Sequence, residues 1–306
     1  MGRELSLEVS IEDYADKDLE PLFELFASYF QPDDRLLTSA YTRWLYAESP
    51  FGPALMVRVT DGTRWVGFMA MIPVELARCG KPLRTYYVVY VLVHPQFLGN
   101  HLFGRMITAA KALVTAEGAA LMGHPNDMAL KSWQRARMHF HEALRPSLAL
   151  PVPWGRGVSA STVKAVGQLN ASACVLADVA AQSQSWCVAA TPAYLDWRYL
   201  RHPSNTYAVQ VLAARGAPAG VQITKRVRPG VRLLVDQFVQ AQQTRAAIGL
   251  LPPLTLCFWP ESLTRENVGA VLSLPWKKRI PFFLTRSPDP EESASVARLG
   301  FSASDF

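Results

Sequence analysis

Cysteine is scarce in this 306-residue chain: Cys79, Cys174, Cys187 and Cys257 stand far apart and never as Cys-x-x-Cys. That spacing offers neither a thiolate metal site nor a disulfide framework, and points to a reduced, cytoplasmic setting. Long apolar runs are missing as well. No stretch approaches the ~18 residues of a membrane-spanning helix, and the N-terminus lacks a signal-peptide core, so no membrane partner is expected. Neither Gly-x4-Gly-Lys-Ser/Thr nor Gly-x-Gly-x-x-Gly occurs, which removes P-loop and Rossmann readings. The absence of Gly-x-Ser-x-Gly, His-Glu-x-x-His and kinase patterns leaves serine hydrolase, zinc protease and phosphotransferase activities without support.

What the chain has is apolar volume and dispersed positive charge. Half its residues are hydrophobic, and its length suits one or two domains. The net charge is +6, and 23 of the 31 basic residues are Arg, spread along the chain instead of gathered in one run. Such a distribution attracts an anionic ligand weakly and predicts no nucleic-acid partner.

Residues 88–106, Val-Val-Tyr-Val-Leu-Val-His-Pro-Gln-Phe-Leu-Gly-Asn-His-Leu-Phe-Gly-Arg-Met, read as an apolar strand that breaks at a proline into a short Gly-containing turn and then opens a helix. The first turn of a helix has unpaired N–H groups and a favourable dipole, so such a turn suits a phosphate. The passage resembles motif A of the Gcn5-related N-acetyltransferases, the GNAT superfamily, through Val93, Pro95, Phe97 and Gly99. Three positions depart from the family pattern. Leu98 stands where Arg or Gln is usual, His101 where the first glycine falls and Phe103 where a second small residue falls.

The resemblance implies acetyl-CoA, or another acyl-CoA, as co-substrate. Its pyrophosphate would lie on Leu98, Gly99, Asn100, His101, Leu102 and Phe103. Its pantetheine arm would insert between two splayed parallel strands and pair with the backbone of Tyr90, Val91, Leu92 and Val93. His101 would then either block the pyrophosphate or, as a protonated imidazole, replace the missing Arg as an anion partner.

Trp44-x-Tyr46-x-x-x-Pro50 recurs as Trp197-x-Tyr199-x-x-x-Pro203, an offset of 153 residues, and Gly67 and Gly220 repeat that offset. Each copy ends a helical stretch and precedes a hairpin pattern, which argues for two copies of one plan. In the first copy the sequence predicts strands at 6–10, 54–60, 65–76, 85–93 and 119–122, and helices at 16–29, 38–46, 102–117 and from 127 onward. This is the element order of the GNAT fold.

The expected fold class is α/β (α+β): two tandem GNAT-like domains, each a mixed, mostly antiparallel sheet flanked by helices. A Pro- and Gly-containing stretch at 146–157 predicts a boundary, with 1–150 carrying the acyl-CoA site and 151–306 forming a degenerate copy. In that copy a helix is expected near 162–169, a strand at 175–178 and a helix at 192–201. A strand at 232–238 is followed by Val-Gln-Ala-Gln-Gln-Thr-Arg, without the phosphate turn.

Asn126 and Ala129 resemble GNAT motif B, which implies that Asn126 contacts the pantetheine; Trp133 takes the place of its usual Tyr. Asn126 also suits a helix N-cap. An amine acceptor must lose a proton, and His124, at the end of the fifth strand, is the candidate base. Tyr90 is the second catalytic candidate; strand alternation puts it on one face with Tyr86 and opposite Tyr87. Five of the six histidines fall within 48 residues, yet none completes a recognised ligand spacing, so no metal is expected.

These features, with the resemblance to tandem GNAT proteins among bacterial amine and amino-sugar acyltransferases, predict an acyl-CoA-dependent N-acyltransferase. Acetyl is the expected acyl group, transferred directly to a small-molecule amine such as an amino sugar or amino-acid derivative. The alternative is a catalytically inactive GNAT-fold binding or assembly protein.

Overall fold

A computed structural model describes residues 6–141, 143–150, 157–183, 185–259, 271–274 and 279–286. The chain runs β1 (Leu7–Asp13), α1 (Leu19–Phe26), α2 (Ser39–Tyr46), β2 (Leu55–Asp61), β3 (Arg64–Arg78), β4 (Lys81–Val93), α3 (Leu102–Ala116), β5 (Ala120–Gly123) and α4 (Asp127–Arg135). It continues with β6 (Arg145–Ala149), β7 (Val158–Thr162), α5 (Ala173–Gln182), β8 (Cys187–Val188), α6 (Pro192–Leu195), β9 (Tyr207–Ala214), β10 (Ala217–Arg228) and β11 (Val231–Val239). The last elements are α7 (Thr244–Gly249), β12 (Thr255–Trp259), β13 (Val271–Ser273) and β14 (Phe283–Arg286).

The chain divides into two compact units. Among described residues the first holds 6–74, 84–139 and 283–286, with strand order β1-β2-β3-β4-β5-β14. β4 and β5 run parallel, whereas the β1–β2, β2–β3 and β5–β14 ladders are antiparallel. Helix α1 buries Leu22, Leu25 and Phe26, the three- and four-residue spacing that collects apolar groups on one face. Phe26 meets Phe68 of β3 at 5.6 Å, and Phe68 meets Tyr46 of α2 at 6.2 Å between ring centroids. Gly67, the next residue along β3, points the other way. A Cβ there would stand 3.0 Å from Val59 Cγ2 and 3.5 Å from Met106 Sδ, so its bareness lets α3 lie close on that face.

The second unit contains 75–83 and the described residues between 140 and 282, with strand order β13-β6-β12-β11-β10-β9-β7. The tip of the β3–β4 hairpin belongs to it through the pairs Leu76↔Val188 and Ala77↔Cys187. Both Trp-x-Tyr motifs are core: Trp44, Tyr46, Trp197 and Tyr199 are each at most 2% exposed. Gly220, like Gly67, permits a close approach, since an added Cβ would lie 2.3 Å from the Phe238 carbonyl.

Three expectations for the second copy are overturned. Residues 175–178 belong to helix α5, because a short apolar run in the Ala-rich Ala-Cys-Val-Leu-Ala-Asp-Val-Ala-Ala-Gln has strong helix propensity. The region 162–169 ends strand β7 and starts a 3-10 turn at Val166. Residues 146–149 of the expected boundary stretch belong to β6, with Ser147 and Ala149 buried; 151–156 lie outside the described residues. Pro146 reads as a chain breaker, but its carbonyl still accepts from Leu274 N–H.

The two units are thus cross-supplied, where the composition predicts one cut after residue 150. In each sheet the strand beside the fifth is antiparallel to it. In the first unit that strand is β14, from near the end of the chain; in the second it is β6, from just after α4. Phe283 of β14 is 1% exposed, sits 4.7 Å from the Trp133 ring and closes over Gly123. Phe283→Ala should therefore cost about 3–5 kcal/mol in urea unfolding. Leu272→Ala, at a side chain 53% exposed, should stay within about 0.5 kcal/mol.

Candidate active site

β4 and β5 pair at Thr85↔Ala120, Tyr86↔Leu121 and Tyr87↔Met122, and the ladder stops there while β4 continues to Val93. The strands therefore part, and residues 90–93 become partly exposed where 85–89 are buried. Tyr90 has φ +50°, a left-handed residue inside a strand. It breaks the alternation that would put Tyr86 and Tyr90 on one face. The Tyr86 hydroxyl donates to Glu117, beyond the end of α3, at 2.7 Å, whereas the Tyr90 ring packs against Phe26 of α1 at 6.0 Å. Burial, with Tyr41 beside it, pushes the Tyr90 hydroxyl far above the usual tyrosine range; Arg35 opposes the shift. Tyr29 donates its hydroxyl to the Val93 carbonyl and so ties the end of α1's turn to the end of β4.

After β4 the chain turns through Pro95–Phe97. His94 Nδ1 accepts from Gln96 N–H at 3.3 Å, and burial together with Arg64 holds the imidazole below its usual pKa. Gly99 has φ +90° and His101 φ +55°, so two left-handed residues frame Asn100, whose side chain donates to Phe97 O at 3.1 Å. Helix α3 begins at once, with Arg105 N–H donating to His101 O as its first intrahelical bond. The N–H groups of Leu102, Phe103 and Gly104 precede that bond and face the turn. The glycine-type backbone thus survives with an exposed histidine in it, and Leu98 is 64% exposed. Leu102 is buried, so only its main chain is available to a ligand.

Beyond β5, His124 lies 6.1 Å from the Tyr87 ring, on the side where the strands part. Asn126 caps α4, its Oδ1 accepting from Ala129 N–H at 2.8 Å. Trp133, expected beside the pantetheine, is 2% exposed and packs between Phe103 at 5.5 Å and Phe283 at 4.7 Å. Its indole fills the core, where the family's Tyr position would offer a hydroxyl. Tyr29, Arg35 and Tyr41 escaped the sequence reading, because they lie on α2 and the loop that leads to it from α1, with no motif to mark them. His139 N–H donates to Thr285 Oγ1 and His141 N–H to the Phe282 carbonyl, and neither residue belongs to a strand. Among the described residues no group of three His, Cys, Asp or Glu side chains is placed to hold a metal ion.

In the first unit the fourth and fifth strands thus part above a Gly-containing turn that opens a helix. The family model for the acetyltransferase (GNAT) domain matches residues 10–127 of this chain. No curated protein matches it.

Among solved structures, a GCN5-related N-acetyltransferase from Kribbella flavida is 13% identical with a TM-score of 0.65, over 91% of this chain and 72% of that one. A conserved protein of unknown function from Enterococcus faecalis V583, described as a probable N-acyltransferase, is 10% identical with a TM-score of 0.63, over 90% and 72%. A tandem GNAT protein from the clavulanic acid biosynthesis pathway is 15% identical with a TM-score of 0.55, over 92% and 99%. At these identities the likeness is one of fold.

The left-handed turn makes a stability prediction. A β-branched residue at φ +55° is strained while glycine is not, so His101→Val should be about 1–2 kcal/mol less stable than His101→Gly in denaturant unfolding.

Proposed function

We propose that the chain is an acyl-CoA-dependent N-acyltransferase, with acetyl as the acyl group and a small-molecule amine as acceptor, acting in the cytoplasm. The observation that carries this reading is the end of β4–β5 pairing at Tyr87/Met122, directly before the turn of Gly99 and His101 at the start of α3. The edge of Val91, Leu92 and Val93, where the Val93 carbonyl already accepts from Tyr29, offers main-chain groups to a pantetheine amide chain, as an added strand would use them. The N–H groups that open α3 suit the pyrophosphate, with His101 as an anion partner in place of the family's Arg. Leu98 and Phe103 line the approach, and Asn100 and Asn126 fix its walls.

Acyl-CoA supplies the activated thioester. N–H groups of the β4 edge oppose the charge that develops on the acyl oxygen, and His124 takes the proton the amine loses. The Tyr90 hydroxyl, kept protonated by burial beside Tyr41, serves as a hydrogen-bond donor to the acceptor. Most of the rate gain comes from placing amine and thioester together.

Acetyl-CoA should bind the purified protein in calorimetry and, at ~100 times its dissociation constant, add about 2.7 kcal/mol to apparent stability. Thiol release in the presence of an amine panel then reports turnover. His101→Gly should weaken acetyl-CoA binding, and His124→Ala should lower kcat while leaving that binding intact. Binding without thiol release from any amine would favour the non-catalytic binding-module reading; no binding at millimolar acetyl-CoA would overturn both readings of the turn.

A further inference from the structure

Arg35 begins a short turn between α1 and α2, where its neighbour Asp34 is tied back by accepting from Leu36 N–H at 2.9 Å. Its guanidinium lies 4.9 Å over the Tyr41 ring, and the same group and Tyr41 stand beside the Tyr90 hydroxyl. Tyr41 is 1% exposed, so the platform under the cation is fixed by the core, while Tyr90 and Arg35 remain partly open. Stacking uses the flat face of a guanidinium, and its N–H donors lie in the plane, in the fork geometry that matches a carboxylate. Tyr90 is also the left-handed residue at which β4 turns toward the α1–α2 face, just past the point where it leaves β5. A positive group with a neighbouring phenol therefore sits beside the residue at which β4 has just left β5.

We infer that Arg35, with Tyr90, selects acceptors in which the amine is accompanied by a carboxylate, so that the substrate class is amino acids and their acidic derivatives rather than neutral amino sugars. This inference rests on the transferase reading. In the reaction the acceptor nitrogen forms a bond to the acyl carbon and the C–S bond breaks. CoA leaves as the thiol with the proton that the amine gives up, and the carboxylate stays a bystander held by Arg35.

The test uses the full chain with acetyl-CoA and a panel of L-amino acids, small, acidic, basic and aromatic, each beside its carboxamide. Wild-type kcat/KM should favour the acid over the amide by ~10-fold or more for at least one pair. Arg35→Ala should collapse that ratio toward one through the KM of the acid, with acetyl-CoA affinity kept, and Arg35→Lys should restore part of it. Calorimetry of the same acids on the acetyl-CoA-saturated protein gives a readout free of turnover, and Arg35→Ala should weaken that binding ~10-fold.

Equal use of acids and amides by the wild type, or an acid-to-amide ratio untouched by Arg35→Ala, overturns the role of Arg35 while the transferase reading stands. The absence of both acetyl-CoA binding and acylation of any amine overturns the transferase reading itself.

Discussion

One interruption governs the molecule: β4 and β5, paired in parallel through Tyr87 and Met122, stop pairing while β4 runs on. Backbone donors and acceptors left at such an edge must find water, a side chain or a ligand, and the Val93 carbonyl takes the Tyr29 hydroxyl. Neighbouring residues hold it open from both sides. Phe283, lodged against Gly123 and Trp133, fixes β5 from its far side. The left-handed Tyr90 and the Tyr29 hydroxyl on Val93 O bend and anchor the end of β4. Trp133, at a position where the family places a hydroxyl, is committed to this packing.

The second unit shows that a parted pair alone is not enough. β11 and β12 also pair in parallel only at Arg232↔Thr255 and Leu233↔Leu256, while β11 continues to Val239. There, however, a single turn at Ala241–Gln243 runs directly into α7, with none of the left-handed residues that Gly99 and His101 supply in the first copy. Without those residues the helix start has no concave backbone to receive a phosphate. The chain thus has two sheets of similar plan and one turn with left-handed residues before a helix. The exchange of β6 and β14 between units ties the completeness of each sheet to chain from the other half.

Much of this was legible in the residues, for reasons that differ by element. The order of strands and helices in the first copy followed from apolar spacing at α1 and α3 and from the Pro95–Gly99 punctuation before α3. Trp44 and Trp197 marked the duplication because each ends a helix and enters a core. What escaped was non-local. A Pro in β6 and an Ala-rich run in α5 read locally as linker and strand, and only the partners of each segment decide otherwise. No local signal tells that Phe283 completes a sheet begun at Leu7. Likewise the faces of β4 followed strict alternation until Tyr90, whose positive φ reverses them. Arg35 and Tyr41 became visible only when the α1–α2 turn was placed over that residue.

Amide hydrogen exchange with and without saturating acetyl-CoA tests the gap most directly. Slower exchange is expected at residues 90–93 and 101–104, with 235–239 of β11 unchanged as the internal control. Saturated protein whose amides at 90–93 and 101–104 exchange as fast as in the free chain would contradict the placement of the acyl thioester between β4 and β5.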